Sequence, residues 1–234
     1  MTRRRPVVTI DGPAGAGKST VSRGLAGRLG YTYLDTGALY RTVALAVVGD
    51  PDLSGALSSA GPGEEAAERL GALAAALEIR FGDAGTRVWM GDREVTREIR
   101  TPEISQAASR VSAVPAVREG LLSLQRRLAS EGGVVAEGRD AGTVVFPHAE
   151  VKFYLTADVA CRAQRRADEL RARGVEADLA ATRREIEERD ARDEGRAVAP
   201  LRRPEGAVEI DSGPLTAEQV LERMVEVVRS REGS

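Results

Sequence analysis

The residues with the clearest chemical potential lie at 12–20: Gly12, Pro13, Ala14, Gly15, Ala16, Gly17, Lys18, Ser19 and Thr20. Gly12, Gly17, Lys18 and Ser19 keep the G-x-x-x-x-G-K-[ST] spacing of a loop that binds the phosphates of a nucleotide such as ATP. Its glycines allow a tight turn that lays backbone N–H groups against phosphate oxygens. Lys18 would direct a charge at the β- and γ-phosphates, and the Ser19 hydroxyl can ligate Mg²⁺. The only other lysine is Lys152, the remaining basic residues being arginine, so a lysine in this loop is not incidental. A glycine-rich turn that merely joins two elements would not need both that lysine and that hydroxyl.

The loop is flanked as such a loop must be. Val7, Val8 and Ile10 make a short β-branched run ended by Asp11, the composition of a buried parallel strand. Val21, Leu25 and Leu29 recur at helical spacing, and Gly30 supplies a stop. A second strand is expected over 31–35, leading into Thr36, Gly37, Ala38, Leu39, Tyr40 and Arg41 and an apolar helix through Val48. Residues 49–63, rich in Gly, Pro, Ser and Asp, have the composition of a loop, and 64–77 that of a helix. The period then changes. Leu77, Ile79 and Phe81 alternate, Asp83-Ala84-Gly85 and Gly91-Asp92 form turns, 86–90 is a strand, and Val95 begins another; this is an antiparallel meander. Thr101 caps a helix with Pro102 at its first position, and a second helix runs from Pro115 to Gly132. Further strands are expected at 133–136, 151–156 and 208–211. An arginine-dense helical hairpin fills 162–203, with a break near Gly174, and an amphipathic helix starts at Thr216. Strands alternating with helices from a phosphate loop onward imply an α/β fold, a parallel sheet with right-handed crossovers.

Composition excludes several classes. The net charge of −2 is not that of a nucleic-acid polycation, and 42% hydrophobic residues suffice for a packed core. Cys161 is the sole cysteine and His148 the sole histidine, which rules out an intramolecular disulfide and imidazole-rich metal sites. Arg3-Arg4-Arg5 resembles the start of a signal peptide, but the apolar run after it stops at Asp11, too short for export. No stretch approaches transmembrane length. A reducing, cytoplasmic setting is expected.

Four blocks together carry a family resemblance: I-D-G-P-A-G-A-G-K-S-T, D-T-G-A-L-Y-R at 35–41, E-G-R-D-A-G-T-V-V-F-P at 137–147, and R-D-A-R-D-E-G-R-A-V-A-P-L at 189–201. In order along nearly the whole chain they resemble bacterial cytidylate (CMP) kinase. The resemblance implies a nucleoside-monophosphate-kinase-like fold built on the phosphate loop, with a five-stranded parallel core sheet and flanking helices. The core would be about 1–36, 113–161 and 204–234, with a monophosphate-binding insert at about 37–112 and a helical lid at about 162–203. It implies ATP and Mg²⁺ as donor and cofactor and CMP and dCMP as acceptors, with no nucleic acid or membrane partner and a monomeric enzyme. Position by position, Lys18 with residues 12–20 would hold ATP, and Ser19 the metal. Arg41, Arg139 and Arg196 match arginines around the CMP phosphate or the transferring group, with Thr36 near the monophosphate. Ser109, Arg118 and Asp140 match residues that read the cytosine edge, and Arg189 and Asp193 contacts to the sugar. Ala141 departs from the family block, where a larger aliphatic residue is expected.

Without the family the same residues say less. Arg189, Asp193 and Arg196 are spaced i, i+4, i+7 and share one helix face, which by itself suggests a solvated ion pair. Arg139 and Asp140 are better placed, at the carboxyl end of a core strand, where α/β sheets bind ligands. Composition expresses no preference for Arg41 or Arg118, and Arg165, Arg166, Arg183 and Arg184 are expected on a solvated face. Two rivals stand beside CMP phosphorylation: a kinase of the same fold for another nucleotide or a hydroxylated metabolite, and a nucleotide-binding regulator or nucleic-acid-associated protein using the arginine hairpin. The scarcity of clustered aromatics counts against nucleic-acid stacking in the latter. An acceptor that is already a phosphate anion needs no general base.

Overall fold

The computed structural model describes residues 5–57, 61–172 and 174–232; Arg3 and Arg4 of the basic start and residues 58–60 of the glycine-rich stretch lie outside them. The chain divides into two compact units, residues 1–31 with 132–234 and residues 32–131.

The first unit begins with β1 (Val7–Asp11), buried along its whole length, and α1 (Lys18–Leu29), which ends where Gly30 turns left-handed. After the second unit the chain returns as β6 (Val134–Gly138), β7 (Val151–Thr156), α7 (Val159–Ala172), α8 (Leu179–Glu194), β8 (Val208–Asp211) and α9 (Ala217–Glu232). β1 pairs in parallel with β6, from Val7 opposite Val134 to Asp11 opposite Gly138. It also pairs in parallel with β7, which in turn pairs with β8. With β2 (Thr32–Asp35) the sheet has five strands, in the order β2-β6-β1-β7-β8. Val8, Ile10, Val135, Phe153 and Leu155 are fully buried, as continuous apolar strands covered on both faces must be. The carboxyl ends of β1 and β6 therefore lie side by side, and both lead into the expected ligand-binding segments. Between β6 and β7 the backbone makes one π-type turn, Ala141–Val145, closed by the Phe146 N–H donating to the Ala141 carbonyl at 2.7 Å. Such turns are rare and cluster at functional sites.

The second unit holds β2 (Thr32–Asp35), α2 (Thr36–Val48), α3 (Pro51–Ser54), α4 (Glu64–Ala76), β3 (Ile79–Gly82), β4 (Arg87–Met90), β5 (Arg93–Glu94), α5 (Pro102–Val111) and α6 (Pro115–Leu128). α2 packs against α5 and α4 against α6 around Leu39, Val43, Leu70, Ile99, Val117 and Leu121. Asp35 caps α2 by accepting the Ala38 N–H, and the Thr101 hydroxyl caps α5 by accepting that of Ile104. The meander is antiparallel as expected, but its last strand is Arg93–Glu94 and closes before Val95. Residues 51–57 are not loop. Asp50 caps a short helix opened by Pro51, and Leu53 and Leu57, four apart, drop into the core beneath a surface whose composition hides them.

Candidate active site

The phosphate loop is held by its neighbours at close range. A Cβ on Gly12 would stand 2.0 Å from the Leu155 carbonyl oxygen, so no other residue fits between β1 and β7 there. The Lys18 ammonium, buried, donates to the carbonyls of Gly12 at 2.8 Å and Pro13 at 2.7 Å. Burial, and next the charge of Arg139, push Lys18 well below its ordinary value, with Glu137 and Asp11 opposing. The Ser19 hydroxyl donates to Glu137 Oε1 at 2.6 Å.

Asp11, at the end of β1, reaches across the sheet. Its two oxygens accept the backbone N–H groups of Ala141 at 2.8 Å and Gly142 at 2.7 Å, which pins the start of the π-type turn. Ala141 is fully buried, and its anchorage runs through its main chain. Burial raises the Asp11 carboxyl from 3.8 to about 6, against the two N–H groups that favour its charged form. A raised acid binds its proton more tightly folded than unfolded, so the stability it contributes is present below pH 3.8 and is lost as pH rises through about 6. Wild-type protein should therefore lose stability relative to Asp11→Asn across that window, by an amount on the order of 2 kcal/mol. Denaturant unfolding of both proteins at several pH values measures it; parallel curves would remove the titration from Asp11.

Three arginines gather near the loop. Arg139 follows β6, and its Nε donates to Asp193 Oδ2 at 2.8 Å; Arg196 Nη2 donates to the other oxygen, Oδ1. Arg189, half-buried one turn earlier on α8, acts electrostatically on both Lys18 and Asp193. Burial alone would raise the Asp193 carboxyl, but Arg139, Arg196 and Arg189 outweigh it and hold it below the ordinary range. For Arg139, burial opposes the charged form and Asp193 prevails, raising it above its usual value. The structure thus revises the helix-face reading. α8 ends at Glu194 with Gly195 as its cap, so Arg196 lies beyond the helix and turns back onto Asp193. The pair is buried, not solvated. Asp140, also buried, stands next to Arg139 at the mouth of the π-type turn.

The second unit carries the other expected residues in two groups. At the start of α2, Asp35 accepts from Arg41 Nη2 at 2.6 Å, and Arg100 Nη2 lies 3.8 Å from the same oxygen. Thr36 is the buried first residue of that helix. Arg100 escaped the sequence reading because only the fold brings it beside Arg41. Around α5, Arg118 Nη1 donates to the Ser112 carbonyl at 3.0 Å, and its guanidinium lies 5.3 Å from the Tyr40 ring centroid. The Ser112 hydroxyl in turn donates to the Ser109 carbonyl at 3.0 Å, so Ser109 and Arg118 belong to one cluster. The Ser109 hydroxyl is buried with no hydrogen-bond partner among the described residues.

Other positions differ from expectation. Arg165 donates to the hydroxyl of Ser212 at 2.9 Å and its carbonyl at 2.6 Å, tying α7 to the end of β8 and leaving the solvated face. Arg183 stays in an exposed pair with Glu187. His148 is exposed, and Cys161 is a free thiol on α7. No helix among the described residues is long and apolar enough to cross a membrane.

A parallel α/β sheet opening on a phosphate loop, with arginines gathered beside its lysine, defines a nucleotide kinase of the phosphate-loop class. The chain belongs to the cytidylate kinase family, whose family description, "Cytidylate kinase", matches residues 8–230. A cytidylate kinase of Syntrophotalea carbinolica is 50% identical over 231 residues, covering 98% of this chain and 94% of that protein. One of Geobacter sulfurreducens is 50% identical over 232 residues, covering 98% and 95%. Among solved structures, an uncharacterized protein from Eubacterium ventriosum aligns over 97% of this chain and 99% of that one, with a TM-score of 0.51 at 10% identity, a likeness of fold.

Proposed function

We propose that the chain transfers the γ-phosphoryl group of ATP to CMP and dCMP, giving ADP with CDP or dCDP, by direct in-line transfer. The observation that carries this reading is the buried Lys18 ammonium, held by the loop carbonyls of Gly12 and Pro13 and pushed below its ordinary value by burial first and then by the charges of Arg139 and Arg189. Cations so crowded call for a polyanion, and the negative charge developing on a migrating phosphoryl group is one. Lys18 and the amides of residues 12–20 hold the donor phosphates, and Arg139 and Arg196 compensate the transferring group. Thr36 and Arg41, with Arg100 beside it, receive the acceptor phosphate. Ser109, Arg118 and Asp140 read the cytosine edge, and Arg189 and Asp193 face the sugar. The Ser19 hydroxyl and the Glu137 carboxylate, 2.6 Å apart, are hard oxygen donors that suit Mg²⁺ and would hold it. When bound, the metal offsets charge on the β- and γ-phosphate oxygens. Residues 37–112 act as the acceptor-binding insert and 162–203 as the lid on a core of 1–36, 113–161 and 204–234. The enzyme works as a cytoplasmic monomer on free nucleotides, without nucleic acid or membrane.

The test is ADP formation from ATP and Mg²⁺ with CMP, dCMP, UMP, AMP, GMP and shikimate in turn. Turnover should be confined mainly to CMP and dCMP; equal use of UMP would overturn the cytosine assignment. Ser109→Ala should raise KM for CMP about threefold to tenfold, the worth of one hydrogen bond. It should leave thermal stability unchanged, because the hydroxyl has no described partner to lose. An unchanged KM would remove Ser109 from the base site.

A further inference from the structure

Outside the residues the family motif assigns, the most heavily engaged side chain beside the phosphate loop is Arg162, in the first turn of α7. It is buried, and its Nε and Nη1 have defined partners. Nε donates to the Ala157 carbonyl at 2.9 Å, and Nη1 donates both to the Ala14 carbonyl at 3.0 Å and to Asp190 Oδ2 at 2.5 Å. The fit to the loop is close: a Cβ on Gly15 would lie 2.9 Å from the Arg162 carbonyl oxygen and 3.0 Å from its Cβ. Asp190 Oδ1 is buried without a hydrogen-bond partner among the described residues, so the carboxylate is committed to Arg162.

Peptide geometry gives these contacts a meaning. In a trans peptide the C=O and the following N–H lie in one plane and point in opposite directions. By holding the Ala14 carbonyl, Arg162 fixes the Gly15 N–H on the opposite side of the loop. The Ser212 hydroxyl, 3.0 Å from the carbonyls of both Ala16 and Thr156, shares its one proton between them and braces the Gly17 N–H more weakly. Asp190 stands on α8 between Arg189 and Asp193, so the helix that carries the Arg139–Asp193–Arg196 group also anchors the loop's outer side.

We propose that Arg162 and Asp190 are positioning residues that orient the phosphate-loop amides toward the donor nucleotide and make that orientation depend on how α8 is seated. Neither touches the nucleotide. The inference rests on the loop being the donor site, as proposed above.

The test is calorimetric titration of the full-length protein with ADP, and separately with CMP, for wild type, Arg162→Lys, Asp190→Asn and the double variant. Asp190→Asn should weaken ADP binding about tenfold while changing CMP binding less than twofold. The double variant should be no worse than the weaker single one, since both act through one contact. Wild-type ADP affinity in Asp190→Asn, multiplying losses in the double variant, or equal losses for ADP and CMP would each overturn the proposal. Should Asp190→Asn fail to fold, Arg162→Lys carries the same comparison, because lysine keeps the charge but cannot serve three acceptors in a plane. Lys18→Ala titrated alongside separates the two readings. Loss of ADP binding there with a normal Asp190→Asn sinks only the positioning role, whereas normal binding in Lys18→Ala removes the donor site itself.

Discussion

Lys18→Ala lowers kcat for CMP phosphorylation by about a hundredfold or more, the cost of removing one preorganised cation from the transition state. Among the described residues, the buried ammonium donates to the Gly12 and Pro13 carbonyls. Burial and Arg139 hold it below its ordinary value, so its charge is stabilised poorly until phosphate arrives. A binding partner that favours the charged form draws its proton back, and the favourable change is largest where negative charge is greatest, on the phosphoryl group in flight. The sign for pH follows: as pH rises, free enzyme loses the Lys18 proton first, and KM for ATP should climb on the alkaline side. Steady-state kinetics with both nucleotides saturating give the kcat effect. Near-normal turnover in a folded Lys18→Ala protein would refute the assignment.

Asp193→Ala should be the most damaging change in the structure outside the core. The carboxylate is buried and receives Arg139 on one oxygen and Arg196 on the other. Removing it takes from Arg139 and Arg196 the buried carboxylate that both hold, and breaking such a buried ion pair costs about 3–5 kcal/mol. Unfolding by denaturant should show a loss of that order, with CMP binding restoring part of it because a phosphate can take the empty place. The pair's contribution is fully present above the ordinary carboxyl range and fades only as acid reaches the depressed Asp193 value. An Asp193→Ala protein as stable as wild type would mean that the two arginines are held by other groups.

Legibility in the sequence followed distance along the chain. The phosphate loop with its flanking strand and helix, the cap at Thr101, and the meander depend on neighbours within a few residues, and each was visible as spacing. The five parallel strands were visible as short apolar runs between turns. Arg196 was misplaced because helical spacing was carried past Gly195, whose backbone leaves the helix. The partner of Asp193 was not readable at all, since Arg139 lies 54 residues away and no periodicity links them. The same holds for Glu137 against Ser19, Arg162 against Ala14 and Ser212 against Ala16, separated by 118, 148 and 196 residues. The short helix at 51–54 was concealed by glycine and proline around it, and only the drop of Leu53 into the core reveals it.

Those separations also dictate when the chain becomes competent. The Asp11 clasp on Ala141 and Gly142 spans 130 residues, and β1 cannot pair with β6 until all of residues 32–131 have emerged. Closing so large a loop is slow for an extended chain, and it is eased when the intervening segment has already condensed on its own local contacts. The brace of Ser212 on Ala16 cannot form until 196 further residues have followed Ala16. A nascent chain paused short of residue 212 would display the entire G-x-x-x-x-G-K-S motif and still lack the scaffold that aims it. The loop's local sequence and its aimed geometry are therefore acquired at different times, the second only once the distant braces have formed.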